Sequence, residues 1–357
     1  MVIKKLLKQM VELSASDLFC HVGATARFKI DGKAIALDDK ELSIDDLTEA
    51  VEELATDKQK EIFKNNCNVD FILYLPELER RFRVNIFMQR NTPSIAVRNV
   101  RTIIQTFEEL NLPAEILRKL SLESRGLVLL TGTMGSGKST TIASMIEYIN
   151  NNTKKHILTV EEPIEFAFKD KNCIINQREV GIDVSTYAKA LRAFTLQSPD
   201  VMFIGNIRDY ETMSAAVTAA ETGVLVLSTL HTVNAAQSVE RIVNFFPPHQ
   251  HQEIRNQLSG ILKGIISLRL VPVKSGSGRV PAYEAMVLTP TISRLIREGK
   301  FWEIQPYIED GTVFGMQSFA QCLLKLVKED KISQGEAERF ADNKEDFMLS
   351  LRGIKKA

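Results

Sequence analysis

Eight residues constrain this chain more than any others: Gly132-Thr133-Met134-Gly135-Ser136-Gly137-Lys138-Ser139. They fit the spacing G-x-x-x-x-G-K-[ST]. The glycines let the backbone wrap closely around phosphate with its N–H groups turned inward. A helix starting at the end of the loop adds positive potential to the same place. Lys138 is the cation expected to pair with the β- and γ-phosphates, and the Ser139 hydroxyl the expected ligand of Mg²⁺. The chemistry needs a strand before the loop and a helix after it. Both are in the sequence: the apolar run Gly126 to Thr131 precedes it, and Ser139 to Asn150 reads as a helix. The binding set is therefore Gly132 through Ser139 with Thr140 behind it, and the fold class is α/β.

The flanking sequence supports a two-part chain. Strands alternate with helices beyond residue 113: Ile157 to Val160, a helix over Thr186 to Gln197, a strand Val201 to Gly205, a helix Glu211 to Thr222, and a strand Gly223 to Leu230. Continuous apolar strands between helices imply a mostly parallel sheet covered on both faces. The first hundred residues have a different texture. Ser16 to Gly23 and Ala26 to Gly32 read as two strands around a glycine turn. A helix is expected over Ser43 to Lys64 with Ser43 as its cap. Asp70 to Leu75 and Arg81 to Phe87 read as a hairpin around Pro76, and Ser94 to Val100 as another strand. The expected division is an α+β domain over 1–100, a linker over 101–112, and a P-loop domain over 113–357 that is mostly helical from about 289, with breaks near Gly311 and Gly315.

Composition excludes several classes. The chain has 357 residues, 44% hydrophobic and 25% charged, which is ordinary for a protein with a sizeable core. Its 45 basic and 45 acidic residues cancel to a formal charge of zero, so the broad basic footprint of a nucleic-acid binder is missing. Cys20, Cys67, Cys173 and Cys322 are dispersed, with no C-x-x-C pair. That argues against a structural zinc site or a disulfide scaffold and for reduced thiols in a cytosolic protein. The N-terminus reads as an amphipathic helix and not a signal peptide, and no run approaches the ~20 apolar residues of a membrane span.

Hydrolysis of a bound triphosphate needs an acid to position water and cations for the developing charge. Three later segments are candidates: Thr159-Val160-Glu161-Glu162-Pro163-Ile164-Glu165, the strand end Gly205-Asn206-Ile207-Arg208-Asp209, and Ser228-Thr229-Leu230-His231-Thr232. A histidine at the carboxyl edge of a parallel sheet that also carries a phosphate loop is well placed to act. A charged turn and a structural histidine are the bland alternatives.

With these segments on the page, the chain resembles the pilus-retraction ATPases PilT and PilU of the secretion ATPase superfamily over nearly its whole length. The resemblance rests on Ser16-Asp17-Leu18, Arg81-Phe82-Arg83-Val84-Asn85, the phosphate loop and Glu161 to Glu165. It continues through Asn176 to Gly181, Gly205 to Asp209, Ala220 to Gly223, Thr229 to Thr232, Arg241 to Pro247 and Gly315-Met316-Gln317. It implies a hexameric ring of two-domain subunits, a PAS-like N-terminal domain and a RecA-like C-terminal domain, with ATP and Mg²⁺ as ligands. Arg81, Arg83, Arg208 and Arg241 are then phosphate contacts, Glu161, Glu162 and His231 the catalytic-side groups, and Glu162 a second contributor to the metal. The implied partners are an inner-membrane pilus platform protein and an active PilT-type paralogue. The implied location is cytoplasmic, peripheral to the inner membrane through those partners. The helix expected over Thr289 to Glu298 matches a stretch linked in the family to retraction, and also reads as an amphipathic helix on the core.

The departures are as informative as the matches. The family's catalytic Glu at the end of the Walker B strand is Asn206 here, and an amide cannot act as a carboxylate base. The family's Thr-Gly-His is Thr222-Gly223-Val224. Its Leu-Arg before Pro-Asp is Thr195-Leu196, its Gln before Arg269-Leu270 is Leu268, and its Asp-box Asp is Glu162. The expectation is an ATP-binding ring subunit with weak hydrolysis. A working motor using Glu161 or Glu162, and a non-hydrolysing regulatory subunit of an active paralogue's ring, are the alternatives.

Overall fold

The computed structural model describes residues 2–30, 32–100, 102–194, 196–276 and 278–351. Arg101, where the linker was expected to begin, and Thr195, in the departure before Pro199, lie outside the described residues. The chain divides into two compact units, Met1–Ile103 with Glu165–Ala167, and Ile104–Ile164 with Phe168–Ala357.

The first unit runs α1 (Val2–Glu12), β1 (Asp17–His21), β2 (Thr25–Ile30), β3 (Lys33–Glu41), α2 (Ile44–Leu54), α3 (Asp57–Asn66), β4 (Asn68–Leu75), β5 (Arg80–Gln89) and β6 (Thr92–Val100). Its six strands form an antiparallel sheet in the order β3-β2-β1-β6-β5-β4. Alternation along β5 sets the two faces. Phe82, Val84 and Ile86 are fully buried, in one core with Leu7 and Met10 of α1 and Leu47 of α2. Arg81 and Arg83 point to the other face, where Arg81 is exposed.

The helix expected over 43–64 is two helices. Ser43 does cap the first, its hydroxyl accepting from Asp46 N in a capping box. Ala55 is extended, and Thr56 starts a second capping box with Gln59. This reciprocal satisfaction of orphan N–H groups is a start signal in mid-segment. Strand β3 was not anticipated, because its nine residues are all exposed and include Asp38-Asp39-Lys40-Glu41. No alternation of burial marks it.

The second unit continues with α4 (Ala114–Ser121), β7 (Gly126–Thr131), α5 (Lys138–Asn152), β8 (His156–Glu161), β9 (Ile174–Glu179), α6 (Tyr187–Phe194), β10 (Val201–Ile204), α7 (Tyr210–Glu221), β11 (Leu225–Leu230), α8 (Ala235–Val243) and α9 (His251–Ile261). It ends with β12 (Leu262–Pro272), β13 (Arg279–Val287), α10 (Pro290–Glu298), α11 (Ile304–Asp310), α12 (Phe319–Lys328), α13 (Gln334–Phe340) and α14 (Lys344–Leu351). Seven strands form one sheet in the order β13-β12-β7-β11-β10-β8-β9. Every pairing is parallel except β12 with β13. Every residue of β7, β10 and β11 is buried. That is the packing of a parallel strand covered on both faces, and it explains the uninterrupted apolar runs.

The pair β12–β13 was not anticipated either. Strand β12 begins at Leu262, directly after α9 ends at Ile261, with no turn residues between them. A short apolar run fits helix or strand equally. This strand forms the floor of the phosphate loop. Thr131 Oγ1 donates to Ser267 Oγ at 2.8 Å across the β7–β12 pairing. Further along β12, Arg269 fastens the C-terminal helices. Its Nη1 donates to Phe340 O at 2.6 Å, and its guanidinium lies 3.7 Å from the centre of the Phe319 ring. The stretch over 289–298 is an amphipathic helix on the core, as one of its two readings required. Thr289 caps it, and Ile292, Leu295 and Ile296 are its buried residues.

Candidate functional site

The phosphate loop links the end of β7 to the start of α5. Gly132 has φ of 140°, and a Cβ there would lie 2.5 Å from both Leu268 O and Ser136 Oγ. No other residue type fits against β12 at that point. Met134 stands out at the tip, 91% exposed. Lys138 opens α5 and is buried; its Nζ donates to Gly132 O at 2.7 Å and Thr133 O at 2.8 Å. The ammonium is thus folded onto the carbonyls of its own loop. Ser136 Oγ is buried with no hydrogen-bond partner in the protein. A glycine-lined loop, a buried ammonium and an orphaned hydroxyl fit a bound phosphate well. Ser139 and Thr140 follow on the first turn of α5, both partly buried.

The strand order brings the catalytic-side segments to the same edge as the loop. Strands β7, β11, β10 and β8 are consecutive neighbours, so residues just past their carboxyl ends converge. Asn206 follows β10 and His231 follows β11. Asn206 Nδ2 and His231 Nε2 are 3.1 Å apart. An amide nitrogen only donates, so Nε2 accepts and the imidazole proton sits on Nδ1. The other amide atom, Asn206 Oδ1, is buried with no partner in the protein. A buried neutral acceptor therefore stands just past the end of β10.

His231 is held below its ordinary value of 6.5, first by desolvation and then by the positive charges of Lys138 and Arg208, against a hydrogen bond with the Gly132 backbone. For a base held low by the fold, the neutral-state contribution is complete above pH 6.5 and is lost as pH falls through the lower folded value. A protonated ring would also turn Nε2 into a donor facing the Asn206 donor. We therefore expect an NMR titration of the His231 ring to give a midpoint below that of a model imidazole, with the proton on Nδ1 at neutral pH. A midpoint at or above the ordinary value would contradict the pairing.

The adjacent acids Glu161 and Glu162 have different surroundings. Glu161 is buried at the end of β8, where its Oε1 accepts from Thr159 Oγ1 at 2.7 Å and Gln177 Nε2 at 3.2 Å. Glu162 lies past the strand end. Its carboxylate is 3.7 Å from Arg208 Nη1, with both side chains well exposed. A loose exposed pair of this kind contributes little stability, which leaves Glu162 the acid open to solvent and ligand. Among the described residues no group of three or more His, Cys, Asp or Glu could hold a metal. Mg²⁺ is commonly held by one or two protein groups together with the phosphates, and Ser139 and Glu162 would supply oxygens of that kind.

Of the predicted cations, Arg208 lies at this edge beside Glu162. Arg241, on α8, is exposed and lies over the Phe245 ring at 4.9 Å. Arg83, in the first unit, is ion-paired with Asp70, its Nε donating at 2.9 Å to Oδ2 and 3.1 Å to Oδ1, and Arg81 lies two residues along on the same face. All four cysteines are free thiols, three of them buried. No helix of the described residues is long and apolar enough to cross a membrane. One group at the site went unread in the sequence: the phenol of Tyr187 on α6, whose hydroxyl reaches the backbone between β8 and β10. Nothing in its local sequence marked it.

The family described as Type II/IV secretion system protein matches residues 1–310. The chain is 40% identical over 352 residues to the type IV pilus ATPase PilU of Pseudomonas aeruginosa, covering 99% of this chain and 92% of that one. It is 39% identical over 345 residues to the type IV pilus retraction ATPase PilT of the same organism, covering 97% and 99%. A crystal structure of the pilus retraction motor PilT with bound ADP superposes with a TM-score of 0.87 at 41% identity, covering 96% of this chain and 97% of that one. Phosphate loop, sheet order and these matches agree: the chain belongs to the Type II/IV secretion system protein family, as a PilT/PilU-like member of it.

Proposed function

We propose that this chain is an ATP-binding ring subunit of the type IV pilus retraction machinery that couples nucleotide binding to domain motion and hydrolyses ATP only slowly. Residues 1–100, 101–112 and 113–357 are its PAS-like domain, linker and RecA-like domain. Gly132 to Thr140 hold the phosphates, with Lys138 as the central cation and Arg81, Arg83, Arg208 and Arg241 as further contacts. Ser139 and Glu162 hold Mg²⁺, which when bound neutralises phosphate charge. The subunit works as a homo-hexamer or in a ring with an active paralogue, in the cytoplasm against an inner-membrane platform protein.

One observation carries the slow turnover: Asn206 occupies the end of β10, where the family's acid is expected, and its Nδ2 pairs with His231. The loop that binds is complete, whereas the group that would take a proton from water is an amide. Absence of a positioned acid or base costs about 10²–10⁴ in rate. Glu162, exposed beside Arg208, is the acid left to support the residual reaction. ATP affinity and phosphate release measured on one purified sample test the proposal. Saturable ATP binding is expected, with turnover far below that of a PilT-type ATPase assayed in parallel. Turnover equal to that enzyme's would reject slow hydrolysis, and failure to bind ATP would reject the whole reading.

A further inference from the structure

Helix α8 begins at Ala235, which is fully buried. Its N–H is a first-turn donor that no helical carbonyl can satisfy, and it lies out of reach of bulk water. The acceptor comes from another element: Ala235 N donates to Glu284 Oε1 of β13 at 2.8 Å. Glu284 is itself only 1% exposed. The sheet places it in a row that leads to the phosphate loop. Glu284 pairs with Ser267 of β12, and Ser267 pairs with Thr131 of β7, the residue before Gly132. Residues directly opposite one another share a face, and Ser267 Oγ accepts from Thr131 Oγ1 in the same row.

Residues 231–234 form the turn between β11 and α8. The turn is bonded to the helix it precedes. Asn234 Oδ1 accepts from Gln237 N at 2.9 Å, and Ser238 Oγ donates to Asn234 O at 2.6 Å. Thr232 Oγ1 lies 2.6 Å from the same Ser238 hydroxyl. His231 therefore moves with the first turn of α8. Val239, Ile242 and Val243 bury the apolar face of that helix, but apolar attraction is not directional. The bond to Glu284 is directional, and it sets the height of the helix start against the strand ends.

We propose that Glu284 is a positioning residue for His231: its carboxyl holds the start of α8 to β13 and, through the bonded turn, keeps the imidazole beside Asn206. The proposal rests on the reading of His231 as a catalytic-side group. The anchor also carries a signature of its own. Glu284 Oε2 is buried with no hydrogen-bond partner in the protein, a costly place for charge. Burial pushes the carboxyl up to about 7, against the hydrogen bonds of Ala235 N and the Gln305 side chain. Of the charged groups facing it, Asp342 past α13 adds to the rise and Arg269 on β12 opposes it. Glu284 thus gains its charge as pH rises through neutrality, and the bond from Ala235 N becomes charge-assisted and shorter.

The test compares Glu284→Gln and Glu284→Leu with the unsubstituted chain. Gln keeps an acceptor oxygen and the shape but cannot ionise, whereas Leu removes the acceptor. The Ala235 amide and the His231 ring are followed by NMR through neutral pH in selectively labelled full-length protein. In the unsubstituted chain the Ala235 amide should shift with an inflection near pH 7, separate from the lower one of His231. Glu284→Gln should lose that inflection and keep the His231 proton on Nδ1. Glu284→Leu should give a mixture of ring tautomers and a midpoint nearer 6.5. Single-turnover ATP cleavage should fall at least about ten-fold in Leu and stay within about two-fold in Gln, the scale of a misplaced group. Affinity for a non-hydrolysable ATP analogue should not change in either. A single tautomer or an undiminished rate in Glu284→Leu would overturn the proposal. So would equal impairment of both variants, or a loss of analogue affinity in step with the rate, since either marks a general structural role. If Glu284→Leu does not fold, the other two proteins decide: no inflection in the unsubstituted chain, or one that survives in Gln, overturns the anchor. Absence of cleavage by the unsubstituted chain would remove the catalytic-side reading of His231, and the ring and amide titrations alone would then decide whether Glu284 positions it.

Discussion

Asn206→Glu is expected to raise steady-state ATP turnover by about two orders of magnitude, the lower end of what a positioned acid or base contributes. The site is prepared for the change. Asn206 Oδ1 already faces a position with no protein partner, and its Nδ2 is 3.1 Å from His231 Nε2. A carboxylate there can accept a proton from water, as the amide cannot. It also reverses the hydrogen-bond sense with the histidine: Nε2 must donate to an oxygen that now carries charge. The His231 pKa, held low by desolvation and by Lys138 and Arg208, should move up. Phosphate release and the ring titration can be followed in the same variant. If the titration moves and turnover does not, Asn206 is not what limits the reaction.

Lys138→Ala has the second large effect. The ammonium contributes charge-assisted hydrogen bonds, each about 1.5–3 kcal/mol. Two of them to phosphate amount to about 3–6 kcal/mol, or roughly 10²–10⁴ in affinity. Calorimetric titration with ATP should show that loss, with little change in thermal midpoint. In the protein itself Lys138 Nζ donates to the loop carbonyls of Gly132 and Thr133. Thr133 is exposed, so water can replace part of what is removed. An affinity within about a factor of two of the unsubstituted chain would mean that the loop does not bind phosphate through this residue.

These two residues also show what the sequence could and could not reveal. The loop was legible because its chemistry is local: glycine for close approach, lysine for charge, a helix start for the anion, all within eight consecutive positions. Ser43 was legible as a cap for the same reason. Thr56 was equally local but lay inside an amphipathic stretch whose periodicity hid it. The contact between Asn206 and His231 spans 25 residues and depends on β10 lying beside β11, which no spacing announces. Glu161 and Glu162 looked interchangeable as neighbours in sequence. The strand end separates them, one held by Thr159 and Gln177, the other open to Arg208. Tyr187 carried no signal because an aromatic residue opening an amphipathic helix reads as core.

The floor beneath Gly132 has a consequence for how the chain is made. The loop lies on β12, and Thr131 is bonded to a serine 136 residues further on. A ribosome adding roughly 5–20 residues per second needs on the order of ten seconds to supply that strand after the loop itself has emerged. During that interval the glycines have no surface to fold against, and the nascent chain holds a phosphate-binding sequence without a phosphate-binding site. The phosphate loop is therefore among the last parts of the sheet to gain its floor.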